Sequence, residues 1–221
     1  MGGLMKLTSL YLLLMCTTLL IVPAGAGVVY ENGPINGQVD AWTINFGFIV
    51  GDSFTISSGT TAINGFSFGA WLIPGDTLTS VEAEINSEPF LSGTQYFDQQ
   101  VSLTASGCFA NQYGYDVCTE TASFNGPTLS NGTYWLSLDN AVVPSGDPVY
   151  WDENSGVGCH SQGCPAQDWF NGEGTIPSEA FTVDGSPAST TTTGSTPEPG
   201  SLLLFASGFA LAAGFLRRKL W

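Results

Sequence analysis

Ala62-Ile63-Asn64-Gly65-Phe66-Ser67-Phe68-Gly69-Ala70-Trp71 decides the fold class. Phe66, Phe68 and Ala70 occupy every second position, with Gly65, Ser67 and Gly69 between them. A period of two sends the bulky set to one face of a strand and the small set to the other. The same pattern recurs outward from this segment. Strands are expected at Ala41–Phe46, Asp52–Ile56, Thr79–Ile85, Gln95–Ala105, Val117–Phe124, Thr133–Leu138, Pro148–Trp151 and Glu179–Val183. In Thr133–Leu138, Tyr134, Leu136 and Leu138 share one face and Trp135 takes the other. Pro74-Gly75-Asp76, Asn125-Gly126-Pro127, Asn131-Gly132 and Ser145-Gly146-Asp147 supply turns between strands. No window of residues 27–185 has helical periodicity. The expectation is all-β: a single β-sandwich, jelly-roll-like, over residues 27–185, with one face of each sheet buried and the other wet.

The charge distribution excludes several functions. The chain holds 4 Lys plus Arg against 19 Asp plus Glu, a formal net charge of −15. Lys6, Arg217, Arg218 and Lys219 are the basic residues, so the body has none. A nucleic-acid binder neutralises phosphates with Lys or Arg, so no nucleic-acid partner is expected. No glycine-rich phosphate loop is present, and phosphoryl transfer lacks its cationic clamps. With few ion pairs available, the fold must rest on apolar burial, hydrogen bonds and disulfides.

Both ends read as addresses. Residues 1–26 have the form of a signal peptide: Lys6, then an apolar run from Leu7 to Val22, then Ala24-Gly25-Ala26. Cleavage by signal peptidase is expected after Ala26. Cys16 follows Met15 rather than a small residue, which disfavours a lipoprotein signal. Residues 186–196 are a Ser/Thr-rich linker. Pro197-Glu198-Pro199 follows, then an uncharged apolar run from Ser201 to Leu216, then Arg217-Arg218-Lys219. That run is close to the roughly 17-residue lower limit for a spanning helix, and the basic cluster would hold its end in the cytoplasm.

Pro197, Glu198 and Pro199, an apolar helix with Gly208 and Gly214, and the terminal Arg217, Arg218 and Lys219 resemble the PEP-CTERM sorting signal of Gram-negative bacteria. The same element is also called an ice-binding-protein C-terminal domain, a label that says nothing about the body. The resemblance covers residues 196–219. It implies residence in the inner membrane, cleavage by an exosortase near residues 197–199, and release to the cell surface or the exopolysaccharide matrix. The body resembles other proteins with this tail, through segments such as Gly33-Pro34-Ile35-Asn36-Gly37, Asp52-Ser53-Phe54 and residues 146–156. That second resemblance implies no activity.

Four cysteines follow the signal peptide. Export favours disulfides, and spacing favours local pairs, Cys108 with Cys118 and Cys159 with Cys164. The rival is a zinc site built from these thiolates, with or without His160. Catalysis is not expected. His160 is the only histidine and lies in a Gly-rich loop, and no Gly-x-Ser-x-Gly elbow exists. Asp152 and Glu153 are adjacent, so on a strand they point to opposite faces and make no glycosidase pair with each other. A distant partner such as Glu173 or Glu179 keeps a secreted carbohydrate-active enzyme as the alternative. Glycan binding is the sharper idea, with Trp151 and Trp169 as stacking residues and Asp152 and Glu153 as hydrogen-bond partners; core filling by these indoles is the competing role. Asp147, Asp152 and Glu153 form the densest oxygen-rich cluster, which makes structural calcium the one candidate cofactor. The reading is an exported, non-enzymatic surface or matrix protein with extracellular polysaccharide as a candidate partner, or a plain structural or adhesive one.

Overall fold

The computed structural model describes residues 27–89, 93–154, 167–169 and 174–188; of 167–169 and 174–175 it describes the backbone. The strands in chain order are β1 (Gly27–Asn32), β2 (Ala41–Thr43), β3 (Ile49–Ile56), β4 (Thr61–Leu72), β5 (Ser80–Asn86), β6 (Gln95–Ala110), β7 (Asp116–Ser123), β8 (Thr128–Leu129), β9 (Gly132–Val142), β10 (Tyr150–Asp152), β11 (Gln167–Trp169), β12 (Gly174–Thr175) and β13 (Phe181–Pro187). The described residues are all-β, without a helix. The expected signal peptide and C-terminal helix lie outside them.

The pairing is antiparallel throughout and runs β1-β13-β4-β7-β6-β5-β9-β3-β11-β12. β6 links two sets of strands. Its first part pairs with β5 as far as Ser80↔Ser102, and its second part pairs with β7 from Leu103↔Ala122 onward. A register shift between Ser106 and Phe109 then carries β6 past the expected end at Ala105. β8 and β10 pair with β4, and β2 pairs with β10.

The alternation in β4 does what its spacing predicts. Phe66, Phe68 and Ala70 are buried with Ala122 of β7 and with Phe181 and Val183 of β13. They share one core with Val50 and Phe54 of β3, Leu136 and Leu138 of β9, Ala83 and Ile85 of β5, and Phe97 of β6. Each Val, Leu, Ile or Phe among them contributes about 1.5–3 kcal/mol on burial. Rings close the two ends of this core: Tyr30 lies 6.2 Å from Phe54, and Phe97 stacks on Phe124 at 4.5 Å.

The structure departs from the expectation in three places. The face of β9 opposite the core is not wet: Trp135 and Ser137 are buried there, with Ser53 of β3 and Glu84 and Asn86 of β5. β13 continues through Ser186 and Pro187, which pair with Ala62 and Thr61, so the first residues assigned to the linker belong to the body. β1 is an unforeseen strand, because a bulge between Val28 and Tyr30 breaks its alternation.

Cys108 and Cys118 form a disulfide with Cα atoms 4.1 Å apart, tying β6 to β7 below the tip loop. Neither is then a free thiolate, so the four-thiolate zinc site is overturned. Cys159, Cys164 and His160 lie outside the described residues. At the tip, Tyr113 stacks on Trp71 with ring centroids 5.5 Å apart, and its hydroxyl donates to the carbonyl of Gln38 at 3.2 Å.

Candidate functional site

The segment Tyr150-Trp151-Asp152-Glu153-Asn154 is internal, which corrects its expected role at the surface. β10 is held between β2 and β4, with Trp151 opposite Trp42 and Ala70. Trp151 is 0% exposed. Its Nε1 donates to the carbonyl of Ala180 at 3.0 Å, and its ring meets Phe68 and Phe181 edge-on. Trp151 is core, not a sugar platform. Trp169 sits in β11 opposite Ile49, and its side chain lies outside the described residues.

Asp152 is equally buried and serves as an anchor. Its carboxylate accepts from Trp71 Nε1 at 2.7 Å, Asn36 N at 2.8 Å and Gly37 N at 3.2 Å. These donors pin the 35–38 loop onto β10. Burial raises its pKa, and the three donors work against that rise. Gly69 makes room for this anchor, since a Cβ there would stand 2.7 Å from Asp152 Cβ and 2.8 Å from Ile35 Cγ2. Glu153 is buried and accepts from Trp42 Nε1 at 2.8 Å. Donors already face the Asp152 oxygens, and at Asp147 the backbone carbonyl accepts from Asn45 Nδ2 at 3.0 Å and the backbone N–H donates to Ser145 Oγ at 3.3 Å. Among the described residues no group of three or more His, Cys, Asp or Glu side chains is placed to hold a metal ion.

Sequence reading missed a second buried acid. Asp52 Oδ2 accepts from Ser178 Oγ at 2.7 Å, and from Glu179 N and Asn32 Nδ2 at 2.9 Å. The network joins β1, β3 and the 176–180 loop where the two ends of the strand order approach. Burial pushes its carboxyl up to about 6, against those bonds. No spacing rule singles out Asp52, because its partners come from the two ends of the body.

An accessible feature among the described residues is an open groove of about 450 Å³ lined by Asn45, Phe46, Glu82, Gln100, Asn140, Val142 and Gly146. Phe46 is 60% exposed, and Val142 beside it is 46% exposed. Phe46 (φ 57°) and Gly47 (φ 89°) are the central residues of a turn closed by Phe48 N donating to the carbonyl of Asn45 at 3.1 Å. Positive φ at both central positions is the hairpin geometry that favours Asn and Gly. A phenylalanine held there, with its ring in solvent, gains little packing for its strain. Asn45 fixes the turn by bonding Asp147 O and, at 3.3 Å, Val149 N.

Asn140 is the other non-glycine residue with positive φ (46°) among the described residues, and it lines the same groove. It sits at a bulge where β9 gains a residue on β5 between Ser80↔Val142 and Glu82↔Asp139. The bulge turns its side chain across the sheet. Asn140 Nδ2 donates to Glu82 Oε2 at 2.7 Å and Asp139 Oδ2 at 3.0 Å. Behind these stand Glu84 and Asp98, cross-strand partners on β5 and β6. Burial, followed by the charges of Glu82, Glu84 and Asp98, pushes Asp139 up to about 7. Burial raises Glu84 as well, against a bond from Asn86. The sequence carried one usable signal for this site: Asn45 and Gly47 flank Phe46 as turn residues, where a strand end was expected.

The sorting residues Pro197, Glu198, Pro199, Arg217, Arg218 and Lys219 lie outside the described residues. A search among curated proteins finds no match to this chain. Among protein families, the one described as the PEP-CTERM protein-sorting motif matches residues 195–219. The chain carries a PEP-CTERM protein-sorting motif, which implies exosortase-dependent sorting to the cell surface.

Proposed function

We propose that this chain is a non-enzymatic surface or matrix protein whose body binds glycan in the Phe46 groove. It would enter the inner membrane by its signal peptide and apolar C-terminal run, and leave it on exosortase cleavage. The fold reading is a jelly roll. With the short strands set aside, β1-β13-β4-β7 and β3-β9-β5-β6 pair the principal strands first-eighth-third-sixth and second-seventh-fourth-fifth. The observation that carries glycan binding is Phe46, an exposed ring held at positive φ beside an acid and three amides. A ring face with carboxylate and amide neighbours suits the apolar face and hydroxyls of a sugar. Non-catalytic binding is supported by the groove's lining, in which Glu82 is the one carboxylate, whereas hydrolysis of a glycosidic bond uses a pair.

Two measurements test this reading. Binding to exopolysaccharide purified from native cells should weaken at least tenfold in Phe46→Gly, while stability holds or rises by about 0.5–1 kcal/mol as the turn relaxes. Equal binding by the variant would remove the groove from the function. Intact mass of the protein recovered from the outside of native cells should fit a chain from Gly27 to near residue 197, and reduction should add the hydrogens of the Cys108–Cys118 bond. A mass that retains Arg217 to Trp221 would mean a permanent anchor.

A further inference from the structure

We infer that the groove selects glycans bearing free amino groups. The inference rests on the glycan reading and names the class of ligand. Glu82 lines the groove, and Asp139, Glu84 and Asp98 occupy neighbouring positions on β9, β5 and β6. Amides donate to these carboxylates: Asn140 to Glu82 and Asp139, Asn86 to Glu84, and Gln95 Nε2 to Asp98 at 3.0 Å. No Lys or Arg exists between residues 7 and 216 to neutralise them.

A second observation points the same way. Ser137 lies opposite Glu84 and two residues from Asp139, so strand alternation puts it on the same face. It is 2% exposed, and its Oγ has no hydrogen-bond partner. Its hydroxyl can donate or accept, while four carboxylates meet three amide groups, so acceptors on this face outnumber the donors that the protein supplies. A ligand ammonium brings three donors and a positive charge to that imbalance. The exposed face of Phe46 adds a cation–π contact at the mouth. A neutral sugar engages the ring and the amides alone, and an anionic one meets repulsion from Glu82 and the acids behind it.

The test uses the processed chain and calorimetric titration with three probes: a glucosamine hexamer, its fully N-acetylated counterpart and an oligogalacturonate. At low salt the glucosamine hexamer should bind at least tenfold more tightly than the N-acetylated one, with no binding of the oligogalacturonate. Glu82→Gln should abolish that preference while thermal melting shows the fold intact, and high salt should shrink it. Phe46→Gly should weaken both hexamers. Equal or tighter binding of the N-acetylated hexamer overturns amine selection and leaves glycan binding standing. So does failure of all three probes while the native exopolysaccharide binds. Glucosamine binding that survives in the Phe46→Gly, Glu82→Gln double variant is general attraction to an acidic surface, and it overturns the assigned site. If neither the probes nor the native polysaccharide binds, the glycan reading fails as well.

Discussion

Asp152→Ala should cost the body roughly 3–5 kcal/mol, read from urea unfolding of the processed chain. Three donors converge on this carboxylate: Trp71 Nε1, Asn36 N and Gly37 N. Alanine removes their acceptor in a place where water does not reach, because Asp152 is fully buried. An unsatisfied buried donor costs about 1–3 kcal/mol, and the lost volume adds to that. Asp152→Asn should fall between wild type and alanine. Its Oδ1 can still accept from one donor, but its Nδ2 confronts another. The near-ultraviolet signal of Trp71 should change in both variants, since its indole N–H loses its partner. A loss below about 1 kcal/mol for alanine would mean that the 35–38 loop does not depend on this anchor.

Glu120→Met should act in the opposite direction, and only where Glu120 would be charged. Glu120 lies on β7 opposite Phe68 of β4 and Ala105 of β6. It is fully buried, and neither carboxylate oxygen has a hydrogen-bond partner. Burial pushes its pKa from 4.5 to about 7. Between those values the folded chain keeps a proton that the unfolded chain gives up, so stability falls as pH rises through this window and levels off above it. Methionine is similar in size and has no charge to desolvate. The variant should gain roughly 2–3 kcal/mol at pH 8 and about 1 kcal/mol or less at pH 4. For a body of this size the gain at pH 8 corresponds to a rise in Tm of roughly 5–10 °C. Melting curves at the two pH values decide it. An equal gain at both would show that shape, rather than ionisation, sets the cost of Glu120. Asp52 and Asp139 are also raised by burial, so wild-type stability should fall in the same direction, and the variant removes Glu120's share.

Legibility followed the length of each regular segment. β4 and β9 are long enough for a period of two to show, and their core faces were readable from Phe66 and Phe68 and from Leu136 and Leu138. β10 has three residues, too few to display a period; β2 and β4 cover its edges, and both its faces are covered too, since Trp151 and Asp152 are each 0% exposed. Trp151, Asp152 and Glu153 were therefore open to a ligand-binding reading and are instead core, anchor and an acceptor for Trp42. Phe46 failed in the other direction. It reads as the apolar end of a strand, yet the turn closed by Phe48 puts its ring in solvent.

The sorting signal was complete in the sequence, because its ordered parts, Pro197-Glu198-Pro199, an apolar run and Arg217-Arg218-Lys219, are linear and carry their meaning without a fold. The all-β character and the Cys108–Cys118 bond were also readable, since alternation and a hairpin-length separation are local properties. Which acids are buried, and where a ligand could lie, belonged to the tertiary structure alone. Asp152 is an anchor because the chain brings Asn36, Gly37 and Trp71 to it from 81 residues away or more. The groove exists because Phe46, Glu82, Gln100, Asn140 and Gly146 meet across several strands. Burial and field at a point depend on neighbours that strand order supplies, and no local window of sequence contains them.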